Sequence, residues 1–282
     1  MPSAEGSLAL RHAVALGLLQ GPAELAPVSS SAHTELVPWL ARWPYAQLDG
    51  EARKSFEVAL HAGAALALAI HMRGELRREL AGLSPRRAGV IALSLAPPAL
   101  VGYALGPVVE RRLGGPRSIA VGLAGGGLAM ALADTRAQRR ADEGRASEDA
   151  TAGDGLALGL AQAAALIPGV SRNGATLTAA RARGFGRGAA QALSWHAGLP
   201  ILFGASALKG ARMRRSGAPR EQRAALALGG ASAFLSTLAS VRVLDRRLRD
   251  GHALWPYSLY RCLLAALVIS RLRRHPPGVR AQ

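Results

Sequence analysis

Aromatic residues, cysteine and lysine are scarce in this chain of 282 residues. Phe, Trp and Tyr make up 4% of the sequence, so it has no ladder of aromatic side chains on which bases could stack. Cys262 is the single cysteine, which excludes an internal disulfide bond. Lys54 and Lys209 are the only lysines among the 35 basic residues, and the rest are arginines.

The formal net charge of +17 invites a nucleic-acid interpretation. Nearly all the arginines, however, lie in short segments between apolar runs. Loops of this kind suit contact with anionic lipid headgroups better than they suit a basic groove. We therefore expect membrane lipids, and no nucleic acid, as partners.

Six nearly uncharged apolar runs account for much of the remaining sequence. Each is close to the roughly 20 residues that an α-helix needs to cross the ~30 Å hydrocarbon core of a bilayer. The runs cover residues 56–72, 88–109, 119–133, 189–208, 224–241 and 253–269. We predict an all-α, polytopic integral membrane protein that forms a single membrane domain over residues 1–282. His61, inside the first run, is interpreted as a packed or interhelical hydrogen-bonding residue, with a catalytic role as the alternative.

A polar segment at residues 20–33 directly follows the apolar residues 13–19. Its polar side chains are those of Gln20, Glu24, Ser29, Ser30, Ser31 and His33. A carboxylate inside a membrane segment is costly and indicates a functional site by default. The alternative is that Glu24 only ties two helices together, while the serines satisfy backbone groups.

Proline and glycine predict that the first helix is broken. We expect a helix over residues 12–25 that is interrupted at Gly21 and Pro22, because proline lacks the amide hydrogen that a helix needs. Pro27 disfavours helical geometry at Ala26. A broken helix is tolerated in a membrane only where its free backbone groups are buried in protein or line a cavity.

A second broken helix is predicted in the other half of the chain. Residues 155–167 are too short to cross a bilayer comfortably and lead into a polar turn at residues 168–176, where a second half-helix starts near Gly174. A shift of 142 residues aligns Gly17 with Gly159, Leu18 with Leu160, Gln20 with Gln162, Val28 with Val170 and Ser29 with Ser171. We therefore predict two inverted repeats, each with a broken or re-entrant helix that carries a polar turn. The halves cover residues 1–140 and 150–282 and are joined by a mixed-charge loop.

The two turns complement each other chemically. Glu24 lies four residues after Gln20, so the two side chains share a helix face. His33 could move protons near neutral pH. Arg172 is always charged and suits bidentate contact with phosphate, and the helix start at Asn173 offers backbone amides to the same anion. This set fits phosphoryl transfer with an anionic substrate at a membrane surface.

At these residues the chain resembles the bacterial undecaprenyl-diphosphate phosphatase family, also called bacitracin-resistance proteins. The first matching motif runs from Gln20 to Glu24 and continues over residues 27–33. The second motif covers residues 159–162, 165–172 and 174–176. Weaker similarity in spacing extends over almost the whole chain.

The resemblance implies removal of the terminal phosphate from undecaprenyl diphosphate, which returns the carrier lipid to peptidoglycan and cell-wall synthesis. It implies a multi-pass protein of the bacterial cytoplasmic (inner) membrane with its active site on the outer face. It also implies a divalent cation, Mg²⁺ or Ca²⁺, and a homodimer. The alternative function is that of a non-catalytic or transport-type relative, which moves polyprenyl phosphate across the membrane.

The resemblance also assigns roles to individual residues. Gln20 and Glu24 would bind the metal ion. Alternatively, Glu24 would act as the general base. The implied catalytic residues are Glu24, Ser30, His33 and Arg172. The implied substrate-binding residues are Ser29, Ser171, Arg172, Asn173, Gly174 and Thr176. Whether Ser30, His33 or water attacks the phosphorus is left open.

Three positions depart from the family pattern. Ala32 stands where the family has glycine, Asn173 stands where it has serine, and Pro22 falls within the first motif. Ala32 restricts backbone angles that glycine would allow, and Asn173 keeps a hydrogen-bond donor but lacks the hydroxyl. These departures bear on turnover and not on the fold.

Overall fold

The computed structural model describes residues 8–140, 144–216 and 220–274, and these parts of the chain are almost entirely helical. Their α-helices are α1 (Leu10–Leu25), α2 (Ser30–Ala41), α3 (Gly50–His71), α4 (Arg73–Ala81), α5 (Pro85–Leu113), α6 (Pro116–Arg140), α7 (Ala152–Ala164), α8 (Arg172–Ala182), α9 (Arg187–Ser216), α10 (Arg220–Arg249) and α11 (Trp255–Arg274). No β-strand occurs in the described ranges, which confirms the predicted all-α fold.

Three of the described helices are long and apolar enough to cross a membrane. The spans are Pro85–Val109 in α5, Pro116–Arg139 in α6 and Gln222–Arg247 in α10. A fourth is obtained if α3 and α4, which are bent by 68° relative to each other, are taken as one broken span. All six predicted apolar runs lie almost entirely within helices of the structure, namely α3, α5, α6, α9, α10 and α11.

The prediction that α1 is interrupted at Gly21 and Pro22 is wrong, because α1 continues through both residues to Leu25. Pro22 has no amide hydrogen to offer the carbonyl of Leu18. The hydroxyl of Ser236 on α10 donates to that carbonyl instead. A Cβ atom at Gly21 would lie 2.5 Å from the backbone carbon of Ser236, so glycine is what permits this close approach. A donor from a neighbouring helix therefore replaces the hydrogen bond that proline removes.

A second proline site in α5 is compensated in the same way. Pro98 has no amide hydrogen for the carbonyl of Ser94, and Nε2 of Gln162 on α7 donates to it at 2.9 Å. Gly159, one turn earlier on α7, packs against α5, and a Cβ atom there would lie 2.5 Å from the carbonyl oxygen of Leu93. Small and polar residues of α7 thus fit onto the proline-containing face of α5.

The break in the first half lies after α1. Ala26 is extended, with ψ at 150°, which confirms the effect predicted for Pro27. In the second half α7 ends at Ala164 and α8 begins at Arg172, two residues before the predicted start near Gly174. The predicted polar turn therefore separates two short helices, as expected. The relation of the halves by inversion, and their limits at 1–140 and 150–282, stay predictions.

Ser29 and Ser171 begin the helices that follow the two breaks. Both have positive φ angles, 75° and 68°, a conformation that is uncommon for residues other than glycine. The hydroxyl of Ser29 accepts from the amide of Ala32 at 3.4 Å, and that of Ser171 accepts from the amide of Gly174 at 3.2 Å. These bonds are helix N-caps, so each turn stabilises the start of the helix that follows it.

Asp154 fixes the connecting loop to the start of α7. Its carboxylate accepts from Arg145 at 2.8 Å and from Arg183 at 2.6 Å. Burial raises the pKa of Asp154, but hydrogen bonds from Arg145, the Thr151 amide and Arg183 outweigh it and bring the pKa below its usual range. Arg145 of the predicted mixed-charge loop is therefore held by an ion pair to α7, and the same carboxylate ties α7 to Arg183 at the end of α8.

Candidate active site

The carboxylate of Glu24, on the last turn of α1, is the centre of the polar site. It is 7% exposed, and both of its oxygen atoms are engaged. Oε1 accepts from Nη2 of Arg172 at 2.9 Å. Oε2 accepts from Oγ of Ser30 at 2.7 Å and from Nε2 of Gln20 at 3.2 Å. The structure therefore brings together four of the residues predicted from the two motifs.

A cavity of about 230 Å³ opens beside this carboxylate. Six of the predicted site residues line it, namely Glu24, Ser29, Ser30, Ser171, Arg172 and Asn173. Its other walls come from α3, through Glu57, Val58 and His61, and from α9, through Ile201, Leu202, Ala205 and Ser206. One side of the cavity is therefore charged and hydroxyl-rich, and the side formed by α9 is mainly apolar.

Arg172 is held so that part of its guanidinium group keeps hydrogen-bonding capacity. Nη2 bonds to Glu24, whereas Nη1 is buried and has no hydrogen-bond partner within the described residues. Gly198 of α9 lies behind the guanidinium, and a side chain there would overlap it. Nη1 therefore faces α9, while the rest of this fixed, charged group lies at the cavity wall, where an arginine is suited to bind a phosphate oxygen.

His33 lies outside the cavity wall. Its Nδ1 bonds to the carbonyl oxygen of Ser29 at 2.7 Å, and its Nε2 bonds to the hydroxyl of Tyr260 at 2.6 Å. A carbonyl oxygen can only accept, so Nδ1 carries the proton and Nε2 accepts from Tyr260. The imidazole thus joins the first polar turn to α11.

Two further predicted residues, Gly174 and Thr176, are also absent from the cavity lining. The amide of Gly174 donates to the N-cap Ser171. Thr176 is fully buried, and its hydroxyl lies 2.6 Å from that of Ser194 on α9. Asn173, which does line the cavity, donates through Nδ2 to the carbonyl of Leu25 at 2.7 Å and so ties α8 to the end of α1.

Arg261 on α11 was not identified from the sequence, although it contacts both turns. Its side chain is fully buried. It donates to the carbonyl of Pro27 at 3.3 Å in the first turn and to those of Gly169 and Val170, at 3.1 and 2.7 Å, in the second. A charged residue inside an apolar run was the only available signal, because its partners are backbone atoms distant in sequence.

His61 on α3 is a second residue whose position the sequence did not predict. It makes an interhelical polar contact, as interpreted from the sequence, with Nε2 3.6 Å from Oε2 of Glu24 on α1, and it also lines the cavity. Its Nδ1 lies 2.8 Å from the carbonyl oxygen of Glu57. The signal that could have found it is the pair Glu57 and His61, four residues apart in an otherwise apolar run.

The oxygen atoms around Glu24 are of the type that binds Mg²⁺ or Ca²⁺. Oε1 of Gln20 is buried and has no hydrogen-bond partner among the described residues, and Glu57 brings a second carboxylate to the cavity. In residues 8–140, 144–216 and 220–274, no three His, Cys, Asp or Glu side chains form a group that could hold a metal ion. Mg²⁺ is commonly bound by one or two carboxylates together with substrate phosphates, so these residues fit a cation that arrives with a phosphate ligand.

Comparison with known proteins gives the same family throughout. The profile of the family described as bacitracin resistance protein BacA matches residues 13–267. The undecaprenyl-diphosphatase of Geobacter sulfurreducens is 37% identical over 275 residues, which cover 93% of this chain and 98% of the relative. That of Geobacter metallireducens is 36% identical, with 92% and 96% covered. That of Moorella thermoacetica is 34% identical, again with 92% and 96% covered. The chain therefore belongs to the BacA family of bacitracin resistance proteins.

Proposed function

We propose that this protein hydrolyses undecaprenyl diphosphate to undecaprenyl phosphate and inorganic phosphate, which recycles the carrier lipid for cell-wall synthesis. The observation that carries the proposal is the pairing of Arg172 and Ser30 on the two oxygens of Glu24, at the wall of a cavity. A cation, a carboxylate and a hydroxyl in contact are the groups that phosphoryl transfer requires.

Each of these residues has a role in the proposed reaction. Arg172 binds oxygen atoms of the diphosphate and balances the charge that develops there. The oxygen of Ser30 or of a water molecule attacks the terminal phosphorus, and the bond from that phosphorus to the bridging oxygen breaks, so that undecaprenyl phosphate leaves. If Ser30 attacks, water then hydrolyses the phosphoserine and releases inorganic phosphate. Glu24 accepts the proton of the attacking hydroxyl. His33 holds the Ser29 carbonyl, so we assign it to positioning the adjacent Ser30.

A divalent cation, Mg²⁺ or Ca²⁺, belongs to the proposal. Glu24 and the free oxygen of Gln20 would hold it together with oxygens of the substrate. When bound, such a cation neutralises phosphate charge and polarises the phosphorus centre for attack.

The setting of the reaction is likewise proposed. Apolar helices and family membership support a multi-pass protein. We place it in the bacterial inner membrane, with the cavity accessible from the outer face and with two copies forming a homodimer. Accessibility of a cysteine at Ser31, measured with membrane-impermeant reagents in oriented vesicles, tests the outer-face assignment.

The function is tested by phosphate release from undecaprenyl diphosphate by the purified protein with Mg²⁺ or Ca²⁺. Arg172→Ala and Glu24→Ala should reduce the rate by about 100-fold or more. The exposed residues Arg112 and Glu51 provide matched controls, and alanine there should leave the rate unchanged. Equal rates of phosphate release for the wild type and the site variants would show that the protein is not this phosphatase. Transfer of polyprenyl phosphate between leaflets without phosphate release would identify a transporter instead.

A further inference from the structure

The ring of His61 has one nitrogen fixed by the backbone and one directed toward the carboxylate of Glu24. Nδ1 lies 2.8 Å from the carbonyl oxygen of Glu57, which can only accept, so Nδ1 carries the proton of the neutral ring. Nε2 then presents its lone pair 3.6 Å from Oε2 of Glu24. A donor bond from one imidazole nitrogen to a backbone carbonyl is how metal-binding histidines are usually oriented.

His33 offers no such nitrogen. Its Nδ1 donates to the Ser29 carbonyl and its Nε2 accepts from Tyr260. It is also absent from the cavity lining, whereas His61 lines the cavity and its side chain is 28% exposed. Among the described residues that line this cavity, His61 is therefore the one with an imidazole to contribute.

The charges around the cavity also call for a cation once a diphosphate is bound. Glu24 and Glu57 are acidic, and Arg172 is the only basic residue other than His61 in the lining described. The α9 wall brings Ile201 and Ser206, which are uncharged. A diphosphate adds at least two negative charges, so anions would outnumber cations in a poorly solvated site.

We propose that Nε2 of His61 joins the carboxylate of Glu24 and Oε1 of Gln20 as a ligand of the divalent cation, with oxygens of the diphosphate completing its coordination. This inference rests on the proposed function for the identity of the phosphate ligand. An imidazole nitrogen in the coordination shell disfavours Ca²⁺, which prefers oxygen ligands alone, and Mn²⁺ serves as a paramagnetic probe for the hard cations that carboxylates and phosphates bind. Glu24 is the only charged group among these three ligands, so the cation binds well only together with a diphosphate.

The test is Mn²⁺ binding to the purified full-length protein, measured by electron paramagnetic resonance with and without methylenediphosphonate, a diphosphate analogue that cannot be hydrolysed. The wild type should bind Mn²⁺ more tightly with the analogue, and pulsed spectra should show coupling to an imidazole nitrogen. His61→Ala and the similarly sized His61→Gln should lose the nitrogen coupling and weaken binding by about tenfold or more. His71→Ala, an exposed position on the same helix, should behave as the wild type.

Three results would overturn the proposal: nitrogen coupling that persists in both His61 variants, coupling that disappears in His33→Ala instead, or no Mn²⁺ binding by the wild type with the analogue. The proposed function is judged separately by phosphate release. If the wild type releases phosphate but its Mn²⁺ spectrum shows no coupling that depends on His61, the proposed function stands and His61 is not a metal ligand. If the wild type shows nitrogen coupling from His61 but releases no phosphate, His61 is a metal ligand and the proposed function is wrong.

Discussion

Ser30 and Arg172, 142 positions apart, are the first residues of α2 and α8 and bond to opposite oxygens of the same carboxylate. Ser30 contacts Oε2 of Glu24 at 2.7 Å, and Arg172 contacts Oε1 at 2.9 Å. Each follows an N-cap serine with positive φ. Equivalent positions of the two turns thus supply a neutral hydroxyl from one side and a permanent cation from the other.

Arg172 should be sensitive even to replacement by another cation. Arg172→Lys keeps the charge but loses the planar group that contacts Glu24 through Nη2 and packs against Gly198 of α9. We expect kcat/KM to fall by roughly 10- to 100-fold, and by about 100-fold or more in Arg172→Ala. Steady-state phosphate release measures both. Full activity of the lysine variant would show that charge alone suffices.

Ser30→Ala distinguishes the two candidate attacking groups. If the Ser30 oxygen attacks, the variant should lose essentially all phosphate release, and rapid quenching of the wild type should trap phosphate on the protein. If water attacks, the variant loses one hydrogen bond to Glu24, and its rate should fall by about tenfold or less. Ser270→Ala, at an exposed position, is the matched control.

Arg261 should contribute strongly to stability because it is fully buried and bonds to carbonyls of both turns. Arg261→Met leaves those carbonyls without a donor, and we expect a loss on the order of 3 kcal/mol in the free energy of unfolding. Arg261→Lys, which keeps a charge and some donors, should lose less. Thermal denaturation in detergent gives the comparison, and an unchanged midpoint in the methionine variant would contradict the assignment.

Ser236 and Pro22 should be energetically coupled. Ser236→Ala removes the donor to the Leu18 carbonyl and should cost about 1 kcal/mol in an otherwise wild-type chain. Pro22→Ala restores a backbone amide that can bond to the same carbonyl, so Ser236→Ala should cost much less in that background. A double-mutant cycle on unfolding free energies measures the difference. Additive effects would show that Ser236 does not compensate for the proline.

The sequence was a good guide where local chemistry decides the structure. Pro27 predicted the extended Ala26, and the two polar motifs predicted that Glu24 and Arg172 belong to one site. The sequence was a poor guide where a residue distant in the chain determines the local structure. Helix propensity alone predicts a break at Pro22, and nothing near it in sequence reveals that Ser236 supplies the missing bond.

The same limit explains why His61 and Arg261 were not assigned to the site. A histidine or arginine in an apolar run is compatible with packing, with a hydrogen bond between helices or with function. What separates these cases is the identity of the partner, which for His61 is Glu24 and for Arg261 is the backbone of both turns. Those partners become neighbours only when α1, α3, α8 and α11 are assembled.

The correspondence of Ser30 with Arg172 has a consequence for stoichiometry. The same shift of 142 residues places Glu24 opposite Leu166, so the acid and the arginine each occur in one half only. Two copies of the first half would bring two carboxylates together without a guanidinium, and two copies of the second would do the reverse. Because Glu24 and Arg172 come from unlike halves of one polypeptide, each cavity has one Glu24 carboxylate bonded to one Arg172 guanidinium, a pairing that assembly from identical halves could not produce.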